Sequence, residues 1–145
     1  MDFFDALHIS SSGLSAQRLR MNLISSNLAN VNTTRTSEGG PYRKKEAVFE
    51  AGQQEEGFQS ILDSQLKGKT SEVKVLGVIE SSAPFQLKYD PAHPDADKKG
   101  FVKMPNVNLV EEMVNMISAT RSYEANIAAV SAAKKMALKA LEIGR

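Results

Sequence analysis

The sequence predicts a mainly α-helical chain with a small β-containing middle, its long N- and C-terminal helices paired as a coiled-coil-like bundle. Three observations lead there. Apolar residues recur at heptad spacing near the N-terminus, a run without glycine or proline extends from Asn106 to Ile143, and prolines with short alternating stretches fill the region between. The expected divisions are residues 1–34, a helix with an Asn-rich turn; 35–105, a strand and loop region; and 106–145, a second long helix.

In the first division Leu7, Leu14, Met21 and Leu28 fall seven residues apart, with Phe3, Ile24 and Val31 between or beyond them at helical spacing. This stripe predicts a helix from about residue 4 to residue 30. Ser10 and Gln17 dilute the stripe and Gly13 lowers helix propensity, so the first turns are weak. Asn27, Asn30, Asn32, Thr33 and Thr34 bring side chains that bond to nearby backbone, which ends the helix.

The middle reads differently. Tyr42 to Phe49, Val73 to Ile79 and Phe85 to Tyr89 alternate in part with period two and are expected as strands, with Leu76 and Val78 lining a second face. Arg43, Lys44 and Lys45 read as a strand edge with a charged outer face. Polar stretches at Gly52 to Gly57 and Gln65 to Thr70, with Pro84, Pro91, Pro94 and Pro105, separate these segments and oppose long helix.

The last division carries the strongest signal. Leu109, Met113, Met116, Thr120, Tyr123, Ile127, Val130, Ala137 and Leu141 follow a three-four spacing, broken mainly by Lys134. Either Asn106 or Asn108 caps this helix, and Asn108 with Glu111 and Glu112 fits a capping box. Eight alanines between Ala119 and Ala140 raise helix propensity and keep the helix thin. Lys134, Lys135 and Lys139 suit the helix dipole, and Gly144 stops the run. About 35 helical residues make a rod roughly 50 Å long, which needs partners along its side.

Composition removes several function classes. With 18 basic and 17 acidic residues there is no bulk charge to hold nucleic acid, and without cysteine there is no disulfide framework or thiolate chemistry. No stretch approaches the roughly 20 apolar residues of a membrane span, and no cleavable signal follows Met1. Asp90, His93, Asp95 and Asp97 tempt a metal assignment, but Lys99 and Asn106 occupy donor positions of a calcium loop, so a solvated turn is expected there. His8 has no acidic orienter at fixed spacing, and no phosphate loop or carboxylate dyad is present, so no cofactor and no catalytic residue is expected.

The ends of the chain resemble the flagellar basal-body rod proteins. The run Ser26-Asn27-Leu28-Ala29-Asn30-Val31-Asn32-Thr33 is similar to the family signature at the end of the first helix. At the other end, Asn106-Val107-Asn108-Leu109-Val110-Glu111-Glu112-Met113 and then Ala119-Thr120-Arg121-Ser122-Tyr123-Glu124-Ala125-Asn126 resemble its second signature. Tyr89-Asp90-Pro91-Ala92-His93-Pro94-Asp95-Ala96-Asp97 with Gly100-Phe101-Val102 looks like a segment of the short, proximal-rod members. Thr34-Arg35-Thr36 departs from the pattern, where many relatives have a glycine after Asn-Thr.

The resemblance implies a structural subunit, not an enzyme, of a tubular axle that passes motor torque outward. It implies export from the cytoplasm through the flagellar type III apparatus without a cleaved signal, and a final place in the periplasm-spanning rod. The implied partners are copies of the chain, other rod proteins and the export apparatus, with the export-gate end or a surrounding ring as a further contact; nucleic acid is not among them. The expected assembly interface combines Leu7, Leu14, Met21, Ile24, Leu28 and Val31 with Leu109, Met113, Met116, Tyr123, Ile127, Val130 and Leu141. Isolated arms of this composition bury little, so both are expected to fray in a monomer. Two alternatives remain: an export chaperone that binds rod subunits without joining them, and a small enzyme using His93 and its neighbouring acids.

Overall fold

The computed structural model describes residues 3–52 and 72–143. The expected turns beyond Gly52, the Gln65 to Thr70 stretch, Gly144 and the Phe3 side chain lie outside the described set. Helix α1 spans Phe3–Ala29, strands β1 to β4 span Lys45–Ala51, Val73–Glu80, Gln86–Tyr89 and Phe101–Met104, and helix α2 spans Leu109–Ile143. The two long terminal helices pack together, with small β hairpins between them in sequence.

Both helices end where side-chain chemistry ends them. Ser26 O accepts from both the Asn30 backbone N–H and Asn30 Nδ2, at 3.1 and 2.8 Å, and Thr33 Oγ1 closes on Asn30 Oδ1, satisfying the last turn of α1. Asn108 caps α2: its Oδ1 accepts from the amides of Val110 and Glu111 at 3.1 and 3.4 Å, while its carbonyl takes the Glu112 amide. Glu111 turns to Lys44 and does not complete a capping box through its side chain.

Strand β1 starts later than the alternation suggests because residues 42–44 bond elsewhere: the Tyr42 amide goes to Thr33 O and the Lys44 amide to Asn106 Oδ1. It pairs with β2, bracketed by Ser81 N to Lys44 O and Gly52 N to Glu72 O. Leu76 and Val78 of β2 remain exposed. Strand β4 has no counterpart in the sequence reading; it pairs antiparallel with β3, Leu87 opposite Lys103 and Tyr89 opposite Phe101. Val102 is its buried residue, while Phe101 stacks edge-on against Tyr89 at 5.3 Å.

The chain divides into two compact units. One holds the described residues 3–19, 48–52, 72–77 and 119–143; the other holds 20–47 and 78–118. In the first, Ala16, Ala119 and Ala133 are the buried apolar residues, and a Cβ on Gly13 would stand 3.1 Å from Asn126 Nδ2. Gly13 is therefore a point of close helix approach as well as a helix weakener. Ser12 Oγ accepts the Val73 amide at 3.2 Å, and Gln17 Oε1 is enclosed with no hydrogen-bond partner among the described residues. In the second unit Ile24, Tyr42, Val102, Pro105 and Val107 are buried, and so are two polar side chains, Asn27 and Glu112.

Candidate functional site

Asn27 lies two residues before the end of α1, and its carboxamide uses its full bonding capacity. Nδ2 donates to Glu112 Oε2 at 2.9 Å and to Lys45 O at 3.0 Å. Oδ1 accepts from Tyr42 Oη and from the Lys45 amide, each at 3.0 Å. Asn27 and Glu112 are each 1% exposed, so every bond is made away from water, where an unmade one costs most.

Glu112 stands one turn into α2. Besides Asn27 it receives Asn115 Nδ2 at 3.3 Å and the Lys44 ammonium at 3.1 Å. Lys44 also reaches Glu46 at 3.1 Å and Glu111 at 3.4 Å, so three carboxylates surround one cation. Burial pulls the Lys44 pKa down, but the bonds to Glu112 and Glu46 outweigh this and hold it above the ordinary lysine range. The expectation that residues 43–45 form a charged outer face fails at Lys44, whose side chain is only 14% exposed. Two of its three acids come from α2, 67 residues away for Glu111, and no local pattern reveals those.

A second polar junction holds the neighbouring backbone. Asn106 Oδ1 accepts the Lys44 amide at 2.8 Å, and its Nδ2 donates to Ser81 O and Ala83 O. Arg43 donates to Ser81 O and lies over the Phe85 ring, 4.4 Å from its centre.

Helix α2 has two distinct faces. Glu112, Met116, Ala119, Tyr123, Asn126, Val130, Ala133 and Ala137 repeat at intervals of four and three and are buried or half-buried. Leu109, Val110, Met113, Val114 and Ile117 lie exposed, between 49% and 69%, and Ile127 and Leu141 are exposed by 47% and 72%. The expected interface residues thus divide: Met116, Tyr123 and Val130 are half-buried, whereas Leu109, Met113, Ile127 and Leu141 face outward. On α1, Ile24 is buried, and Leu7, Leu14, Met21 and Leu28 are half-covered, as is Val31 in the turn beyond it. Of the signature residues, Asn27, Glu112, Asn106, Asn108, Asn30 and Thr33 take part in the bonds described, Asn126 abuts Gly13 and Tyr123 is half-buried; Ala29, Asn32, Arg121 and Glu124 are exposed.

The acidic turn is occupied by its own backbone. Asp97 Oδ1 accepts the amides of Lys99 and Phe101 at 2.8 and 2.9 Å, and Asp95 Oδ2 accepts Thr34 Oγ1. His93 Nδ1 accepts the Asp95 amide. Among the described residues no group of three or more His, Asp or Glu is placed to hold a metal ion. Glu72 comes within 3.0 Å of His8, a pairing that sequence spacing does not show, but both side chains are largely exposed. No helix among the described residues is long and apolar enough to cross a membrane.

Two family profiles match the ends of the chain: the flagella basal body rod protein family over residues 7–35 and the C-terminal family of flagellar basal body rod FlgEFG proteins over residues 98–143. The flagellar basal-body rod protein FlgC of Bacillus subtilis is 47% identical over 152 residues, covering the whole of both chains. That of Borreliella burgdorferi is 46% identical over 149 residues, 99% of this chain and 98% of its own, and that of Salmonella typhimurium is 43% identical over the whole of both. The similarity runs the length of the chain, and the matched ends supply Asn27 and Glu112: the chain belongs to the FlgC family of flagellar basal-body rod proteins, structural subunits of the rod and not enzymes.

Proposed function

We propose that the chain polymerises through the outward face of α2, on which copies of itself and other rod proteins pack. The observation that carries this reading is the exposed row Leu109, Val110, Met113, Val114 and Ile117, large apolar side chains that a rod subunit has reason to cover only by assembly. In this reading residues 1–34 and 106–145 are the axial arms and 35–105 the bridging middle. The half-covered Leu7, Leu14, Met21, Leu28 and Val31 complete the contact on the α1 side. The chain passes through the flagellar type III export apparatus to reach the periplasmic rod, where it transmits torque.

Met113→Asp tests the reading because Met113 is 53% exposed, so the change leaves the folded subunit intact while placing a charge in the contact. The variant should be exported and absent from purified basal bodies, and cells carrying it should not swim. Normal basal bodies containing the variant would remove α2's outer row from the interface. Retention of the wild-type chain in basal bodies stripped of soluble proteins separates a subunit from a chaperone.

A further inference from the structure

Two contacts align the helix pair, one in each unit: Gly13 with Asn126, and Asn27 with Glu112. In both, the residue numbers sum to 139, so each unit taken by itself has the same antiparallel pairing. Within the second unit that value pairs Leu23 with Met116, and within the first it pairs Ala16 with Tyr123 and Ile9 with Val130, all of them buried or half-buried. The seam is therefore a heptad pattern on both helices.

Apolar packing alone does not select this alignment. A slide of one heptad one way sets Leu23 beside Tyr123 and Ala16 beside Val130; a slide the other way sets Leu23 beside Leu109 and Ile9 beside Tyr123. Either arrangement still sets apolar residues against apolar ones at these positions. What neither keeps is Asn27 opposite Glu112, and with it the bonds that tie Asn27 to Tyr42 and Lys45 and Glu112 to Lys44. Those groups are buried and directional, so a slipped pair strands several of them.

We propose that the buried Asn27–Glu112 contact, with Tyr42 and Lys44, is the register-determining element of the helix pair, selecting one alignment among heptad-related ones. This goes beyond the assembly reading and stands apart from it, since register is a property of the single chain.

The sequence has no cysteine, so engineered pairs report cleanly. In the purified full-length chain, Leu23→Cys with Met116→Cys reports the native register, and Leu23→Cys with Leu109→Cys or with Tyr123→Cys reports the two slipped ones. The wild-type background should oxidise only the first pair. Slipped crosslinks should rise through the series Tyr42→Phe, Glu112→Gln, Asn27→Leu, reaching at least about tenfold over background in the last. Ile24→Ala, which removes buried volume but none of the hydrogen-bonding groups of the contact, should leave them at background. A variant that also crosslinks a solvent-face control, Asn22→Cys with Met116→Cys, has unfolded, and the milder members of the series then decide. The proposal is overturned if every folded variant keeps the native crosslink alone, or if Ile24→Ala releases the slipped forms equally.

Discussion

Lys44→Met isolates the charge balance of the buried node. The substitution keeps most of the side-chain volume but leaves Glu112, 1% exposed, with Asn27 and Asn115 donating to it and with Glu111 and Glu46 nearby. Breaking a buried ion pair from one side costs about 3–5 kcal/mol. The lower end applies here because Glu46 and Glu111 are about half exposed and their contributions are screened by solvent. About 3 kcal/mol corresponds to a fall in Tm of roughly 6–12 °C for a chain of this size. Thermal and urea unfolding followed by circular dichroism at pH 7 measures it. Lys44→Met with Glu112→Gln should recover much of the loss, since no buried charge is left unpaired. In the wild type the raised Lys44 pKa stabilises the fold in full below about pH 10.5, the ordinary lysine value, and that stability is lost as pH rises through the raised one. A single variant within about 1 kcal/mol of wild type at pH 7, or a double variant no better than the single, would refute the account.

Gly13→Leu should destabilise by about 1–3 kcal/mol, because even a Cβ meets Asn126 Nδ2 at 3.1 Å; Gly13→Ala should be near neutral, helix propensity offsetting the shift of a flexible amide, and thermal melts of both would show it. Hydrogen exchange on dilute chain should find residues 3–19 and 119–143 exchanging faster than 20–29 and 109–118. The first set buries mainly alanines and an unpartnered Gln17 oxygen, the second the Asn27 node. Equal protection along both helices would contradict this, and protection throughout is expected only in assembled rods.

The lengths of both helices were legible in sequence because they are set locally, by a run free of glycine and proline and by asparagine caps at Asn30 and Asn108. The strand pairing was only partly so. Strand β4 is four residues long with one fully buried side chain, Val102, too little alternation to register. The inner seam of α2 was hidden for a different reason: half of its positions are Glu112, Ala119, Asn126 and Ala133, polar or too small to mark a stripe, while bulky Leu109, Met113 and Ile127 outside it do. A stripe traced by hydrophobicity therefore merges two faces. Asn27 and Glu112 were visible as signature residues, but their bond joins positions 85 apart, and Lys44 looked like a surface charge because two of its three acids, Glu111 and Glu112, lie in α2.

That separation of 85 residues between Asn27 and Glu112 also sets an order in time. At roughly 5–20 residues per second, a ribosome delivers Glu112 some 4 to 17 s after Asn27. Throughout that interval α1 can form and Tyr42 can reach it, yet the carboxylate that completes the buried cluster does not exist. Contacts this distant close late because loop entropy must be overcome before they are rewarded. The second unit thus stays open until α2 is made, and whatever holds the two ends of the chain apart after synthesis extends the same unfinished state.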